Sequence, residues 1–210
     1  MAIDNTQTFN AKTQADITPH QALDLLKEGN KRFVANGALD RDTPRQIKET
    51  VDGQWPHSVV LSCIDSRVPV ELAFDQGIGD LFVARVAGNI VNEDVLGSIE
   101  YGCKYAGSKL VVVLGHTQCG AVKGACDDLK DGNLTELLSK IRPAVEATET
   151  DGERNSGNKQ WVDDVVRKNV EMTIKKMKQD SDILSELAAD GDIKIVGGIY
   201  NLKDGAVEWL

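Results

Sequence analysis

Short apolar runs alternate along this chain with longer stretches whose apolar residues recur at helical spacing. Ser58-Val-Val-Leu-Ser62, Leu81-Phe-Val-Ala-Arg-Val86, Lys109-Leu-Val-Val-Val-Leu114 and Ile193-Lys-Ile-Val-Gly197 are short and rich in β-branched residues, and they read as strands. A last short strand near Ala206 to Trp209 is reached through the turn Lys203-Asp-Gly205. Helical spacing marks Asp94 to Tyr105, with a cap near Asn92, and Cys119 to about Leu129. It also marks Leu134 to Ala147, Trp161 to Lys178 and Ile183 to Ala189, while Pro69 precedes a brief helix over Val70 to Phe74. Apolar strands alternating with helices predict an α/β domain, a parallel sheet covered on both faces and joined by right-handed crossovers.

The start of the chain follows a different pattern. Met1 to Ile17 is polar and without period. Thr18-Pro19 then has the form of an N-cap with proline in the first helical turn, and Ala22, Leu23, Leu26 and Phe33 continue towards the stop at Asn36-Gly37. Because this amphipathic helix precedes the first strand, we expect residues 1–36 to form an arm that clasps a partner subunit rather than its own core. Asn36 to Trp55 is charged and turn-rich and reads as a surface crossing, and Glu149 to Lys159 as a loop within one domain spanning 1–210.

Composition narrows the function classes. With 41% apolar and 27% charged residues the chain is an ordinary globular one, and a net charge of -9 argues against nucleic acid as a partner. No apolar stretch approaches the ~18–20 residues of a membrane span, and Met1 to Asp16 lacks a signal-peptide core. A cytoplasmic protein is expected, or a periplasmic one if a leader has been trimmed. Four cysteines, at 63, 103, 119 and 126, are too few and too scattered for a disulfide scaffold.

Two of those cysteines sit in motifs that each follow a strand. Cys63-Ile-Asp-Ser-Arg67 ends the first, and His116-Thr-Gln-Cys-Gly120 follows the third. In open α/β sheets ligands gather outside the carboxyl ends of strands where the strand order reverses. If the second and third strands flank the first, both motifs face one crevice. His116 and Cys119, three apart at a helix start, reach one point. Two thiolates and an imidazole suit zinc, one ion per chain, and an open fourth position marks a catalytic site. Cys126 could supply a fourth ligand, or Asp65 could close the site; Cys103 and Cys126 otherwise read as core residues. Two thiolates cancel the ion's charge, so the site is a weaker acidifier of water than one built of imidazoles. Asp65 can orient that water, and Arg67 can pin the carboxylate bidentately. A zinc-bound hydroxide so held is a nucleophile near neutral pH. The glycine spacing of Gly115-His-Thr-Gln-Cys-Gly120 imitates a phosphate loop, but Ala121-Val122 stand where lysine and serine or threonine are needed.

At these residues the chain resembles the β-class carbonic anhydrases. The resemblance is carried by Ser62-Cys-Ile-Asp-Ser-Arg-Val-Pro69, Leu81-Phe-Val-Ala-Arg-Val-Ala-Gly-Asn89 and Leu114-Gly-His-Thr-Gln-Cys-Gly-Ala121, in that order. It implies a mostly parallel sheet of four strands plus an edge strand, and reversible hydration of carbon dioxide to bicarbonate and a proton. It implies zinc on Cys63, His116 and Cys119, a catalytic dyad of Asp65 and Arg67, and a homodimer or homotetramer. It further implies substrate-binding roles for Gln54, Phe82, Tyr101 and the Gly120 amide, the aromatics reaching across the subunit interface. Relatives inhibited by bicarbonate at a second site carry tryptophan where this chain has Val60, so such inhibition is not expected here. The alternatives are hydrolysis of carbonyl sulfide or carbon disulfide on the same scaffold, and a zinc or thiol redox protein without turnover.

Overall fold

The computed structural model describes residues 3–210, so of the expected arm Met1 and Ala2 lie outside the described residues. Among the described residues five strands form one sheet: β1 (Ser58–Ser62), β2 (Leu81–Arg85), β3 (Leu110–His116), β4 (Lys194–Tyr200) and β5 (Val207–Trp209). Their spatial order is β2-β1-β3-β4-β5. The first four are parallel, and β5 runs antiparallel to β4 at the edge. The expected α/β architecture is present, and β2 and β3 do flank β1.

Every residue of β1 and β3 is buried, which is why both read as unbroken apolar runs rather than alternating ones. Successive side chains nonetheless serve different faces. Val59, Leu61, Val111 and Val113 pack under helices α5 (Glu93–Glu100), α6 (Gly120–Cys126), α8 (Arg142–Ala147), α9 (Lys159–Asp180) and α10 (Asp182–Ala189). Val60, Leu110, Val112 and Leu114 pack against α2 (Pro19–Val34) and α4 (Val70–Ala73) on the other face. Helix α9 lies close on the sheet because Gly115 and Gly197 have no side chain there: a Cβ at Gly115 would meet Val170 at 2.8 Å, and one at Gly197 would meet it at 2.7 Å.

The expectation that α2 spares its own core is the part of the N-terminal reading that changes: Ala22, Leu23 and Leu26 are buried in the cluster that holds Val60, Val112 and Leu114. Its start is as expected, with Thr18 accepting from the N–H of Gln21 and Gln21 answering to the N–H of Thr18. Two helices lie where none was expected, α1 (Ala11–Asp16) and α3 (Thr43–Glu49). At six and seven residues they are too short for an apolar period, and only their caps, Asn10 and Asp42, announce them. The stretch from Leu134 to Ala147 splits into α7 (Gly132–Ser139) and α8, the break falling just before Pro143. The helix expected up to Tyr105 leaves α-helical pattern at Glu100 and continues as one wider turn over Tyr101–Tyr105.

Candidate metal centre

The register of the sheet brings the two motifs together. Ser62 pairs with Leu114 on one side and Arg85 on the other, so the chain leaving β1 at Cys63 runs beside the end of β3 at His116. Cys119 is the N-cap of α6. The result is a buried trio: the ligand atoms of Cys63, His116 and Cys119 all lie within 4.8 Å of one another, the two sulfurs 3.9 Å apart.

The imidazole is set in one tautomer. Its Nδ1 lies 3.1 Å from the carbonyl oxygen of Thr117; that oxygen can only accept, so Nδ1 carries the proton and Nε2 presents a lone pair. Nε2 is buried and has no hydrogen-bond partner among the described residues. An orphaned acceptor facing two thiols is costly unless a cation completes it, and this donor set suits zinc. The thiols also act on each other. A hydrogen bond from Cys119, helped by the Gly88 N–H 3.4 Å from the sulfur, holds Cys63 towards thiolate against its burial. Cys119, sharing its proton with that thiolate and buried, is held protonated. A dication between the sulfurs would take the place of that proton.

Asp65 and Arg67 form the fork expected of them. Oδ1 of Asp65 accepts from the backbone N–H and the Nε–H of Arg67, at 3.0 and 2.9 Å, and Oδ2 accepts from Nη2 at 2.7 Å. These hydrogen bonds hold the carboxyl well below the usual carboxylate range, although partial burial opposes them. Oδ2 is also the oxygen turned to the trio, 3.8 Å from Nε2 of His116.

Sequence reasoning missed the role of Arg85. Its Nε donates to the carbonyl of Cys63 (2.9 Å) and its Nη2 to that of Asp65 (2.6 Å), clamping the loop that carries both groups. Its place at the end of a strand was legible, but its carbonyl partners follow from the loop's path. Of the remaining expected residues, Gln54, Phe82 and Tyr101 stand apart within this chain. Gln54 is exposed and precedes β1, whereas Cys63 follows the strand's other end. Phe82 pairs in register with Val59, three positions before the strand end, and meets the ring of Tyr101 edge-on at 6.4 Å. Both line an open groove with Glu93, Asp94 and Gly97. Gly120 is exposed and heads α6 directly after Cys119. Cys103 and Cys126 are buried core residues outside the trio, as expected.

Comparison with known proteins agrees with this geometry. The description of the carbonic anhydrase family matches residues 58–207. The chain is 38% identical over 199 residues to carbonic anhydrase 2 of Mycobacterium tuberculosis, covering 89% of this chain and 90% of that one. It superposes with a TM-score of 0.71 and 26% identity on a solved structure of a tetrameric β-carbonic anhydrase from the filamentous ascomycete Sordaria macrospora, covering 91% and 95% of the two chains. A stretch of 77 residues is 36% identical to a carbon disulfide hydrolase of Acidithiobacillus thiooxidans, a match covering 34% of this chain. No helix among the described residues is long and apolar enough to cross a membrane.

Proposed function

The chain belongs to the β-class carbonic anhydrase family of enzymes, and from that premise we propose that it interconverts carbon dioxide and bicarbonate with one zinc ion held by Cys63, His116 and Cys119. The observation that carries this is the lone pair of His116 Nε2, buried, unpartnered and converging with two thiols beside an ionised Asp65. Bound there, zinc supplies Lewis-acid chemistry, acidifying a water for attack on carbon dioxide. The protein's own groups do the rest. Oδ1 of Asp65 is taken up by two donors from Arg67, whereas Oδ2 takes one and keeps a lone pair towards the ligands. Oδ2 therefore accepts the water's proton in a hydrogen bond and aims its oxygen, while Arg67 keeps the carboxylate ionised. Arg85 holds the loop in register with the ligands.

Carbon dioxide is apolar, and its pocket needs an apolar wall with one or two polar contacts. Gln54, Phe82 and Tyr101 stand away from the trio in their own chain, so we assign them to the site of a partner subunit in a homodimer or homotetramer. The Gly120 amide serves the bicarbonate oxygen within the chain. Carbon dioxide is placed ahead of carbonyl sulfide and carbon disulfide because similarity to carbonic anhydrases spans most of the chain, against a third for the disulfide hydrolase. A redox or purely structural role would leave the Asp65–Arg67 fork without purpose.

Stopped-flow hydration of carbon dioxide, with zinc analysis, tests the proposal on wild type and Asp65→Asn. We expect one zinc per chain in both, and a loss of about 10²- to 10³-fold in rate in the variant, the scale for removing one oriented electrostatic partner. A folded, zinc-loaded wild type without hydration activity between pH 7 and about 9 would end this reading.

A further inference from the structure

Between His116 and Cys119 the chain must turn so that an imidazole ending a strand and a thiol heading a helix converge. Gln118 makes this turn with φ at 56°, the left-handed region where a residue other than glycine is strained. A contact from elsewhere in the fold holds it there. The backbone N–H of Gln118 donates to Oδ1 of Asp163 at 2.9 Å, and its side-chain Nε2 approaches the same oxygen at 3.3 Å.

Asp163 lies on α9, the helix that also backs the other half of the site. Val166 and Val170 press on Gly115, the residue before His116. Further along, buried Asn169 donates to the carbonyl of Gly88 at 2.8 Å, and the N–H of Gly88 points at the sulfur of Cys63. The same helix thus braces both ligand-bearing loops, from positions 45 residues beyond Gln118 and 81 beyond Gly88.

We infer that Asp163 is a positioning residue for the metal centre, fixing the left-handed Gln118 so that His116 and Cys119 are pre-set on one point. The inference rests on the zinc reading given above. Asp163 touches no ligand atom and carries no step of the reaction. Its acceptor oxygen holds a backbone N–H in a turn that would otherwise relax towards negative φ, and relaxation swings the two ligands apart. The consequence falls on metal retention, because a cradle that is not pre-formed must be reorganised at the expense of binding.

Zinc transfer from the holoprotein to an excess of a chromogenic chelator at pH 7.5 reads this directly. Asp163→Ala should release zinc about ten- to a hundredfold faster, the range in which hydrogen-bond partners behind metal ligands act. Asp163→Asn keeps an acceptor oxygen in place and should release at close to the wild-type rate. Asp164→Ala, its exposed neighbour, removes the same charge from the same helix turn and should match wild type, which separates hydrogen bonding from helix electrostatics. Should the alanine variant fail to fold, Asp163→Leu, similar in outline and without an acceptor, takes its place. Wild-type release from the non-accepting variant, or release from Asp163→Asn as fast as from it, overturns the inference while leaving the zinc reading intact. A wild-type chain that takes up no zinc overturns both.

Discussion

Replacing Asp80 with asparagine should stabilise this protein at neutral pH and slightly destabilise it in acid. Asp80 is fully buried where the chain enters β2, at the end of the sheet remote from the metal centre. Its Oδ2 accepts from the Gly77 N–H at 2.7 Å, but Oδ1 has no partner among the described residues. Burial pushes the carboxyl up to about 6, against the opposing pull of the Gly77 hydrogen bond and the Arg41 charge. Because the folded value lies above the unfolded one of 3.8, the native chain binds this proton more tightly. Its stability contribution is therefore full below pH 4 and is lost as pH rises through 6. A gap of roughly two pH units at 1.36 kcal/mol each makes the ionised form cost about 3 kcal/mol. Asparagine keeps the acceptor for Gly77 without charge, at an expense of about 1 kcal/mol for its unpartnered amide. The net gain expected at pH 7.5 is then about 2 kcal/mol, or about 4–8 °C in midpoint for a chain of this size. Neighbouring His57, whose N–H bonds the Asp80 carbonyl and whose imidazole burial pushes down to about 4, has its own pH dependence in both chains alike. Urea unfolding of wild type and variant at pH 7.5 and pH 4 measures the difference. An equal gap at both pH values, or no gain at pH 7.5, would refute the reasoning.

Three further outcomes follow from the same geometry. Gly115→Ala places a methyl group 2.8 Å from Val170 and 3.1 Å from Val166, two buried β-branched side chains with little room to yield; a loss of about 1–3 kcal/mol, read from denaturant midpoints, is expected, together with weaker zinc retention because His116 is next in the chain. After zinc is stripped, iodoacetamide followed by mass spectrometry at pH 7 should label Cys63 first. Cys103 and Cys126, whose thiols burial pushes up to about 12 and about 11, should stay unmodified; preferential labelling of Cys103 would contradict the assignment. Bicarbonate titrated at fixed pH should show only ordinary product inhibition, since Val60 is fully buried under α2 and the Arg85 guanidinium is engaged by two carbonyls. A steep, cooperative fall in hydration rate would show a second anion site.

How much of the fold the sequence declares depends on how local the cause is. Strands β1 and β3 are buried on both faces, so their apolar runs declare them; Thr18, Asn92 and Pro69 mark helix starts within a turn of themselves. The trio of candidate ligands was legible for a similar reason: His116 and Cys119 share one turn, and Cys63 ends a strand. Helices α1 and α3 were not, because a handful of residues completes too little of a period to stand out from polar chain. Nor could the sequence tell that α2 turns its apolar stripe on its own sheet, since an amphipathic face names no partner.

What the tertiary structure alone decided is how the site is held. The strand order β2-β1-β3 joins two motifs some fifty residues apart, placing their sulfurs 3.9 Å from each other. The Thr117 carbonyl chooses the tautomer of His116, Arg85 clamps the loop of Cys63 and Asp65, and Asp163 meets Gln118 across the fold. None of these leaves a periodic or spacing signal, because each joins a side chain to a backbone atom, and a backbone atom is the same at every residue. Side-chain chemistry was therefore written in the sequence, whereas the orientation that makes it usable is set by which carbonyls and N–H groups the fold brings within reach.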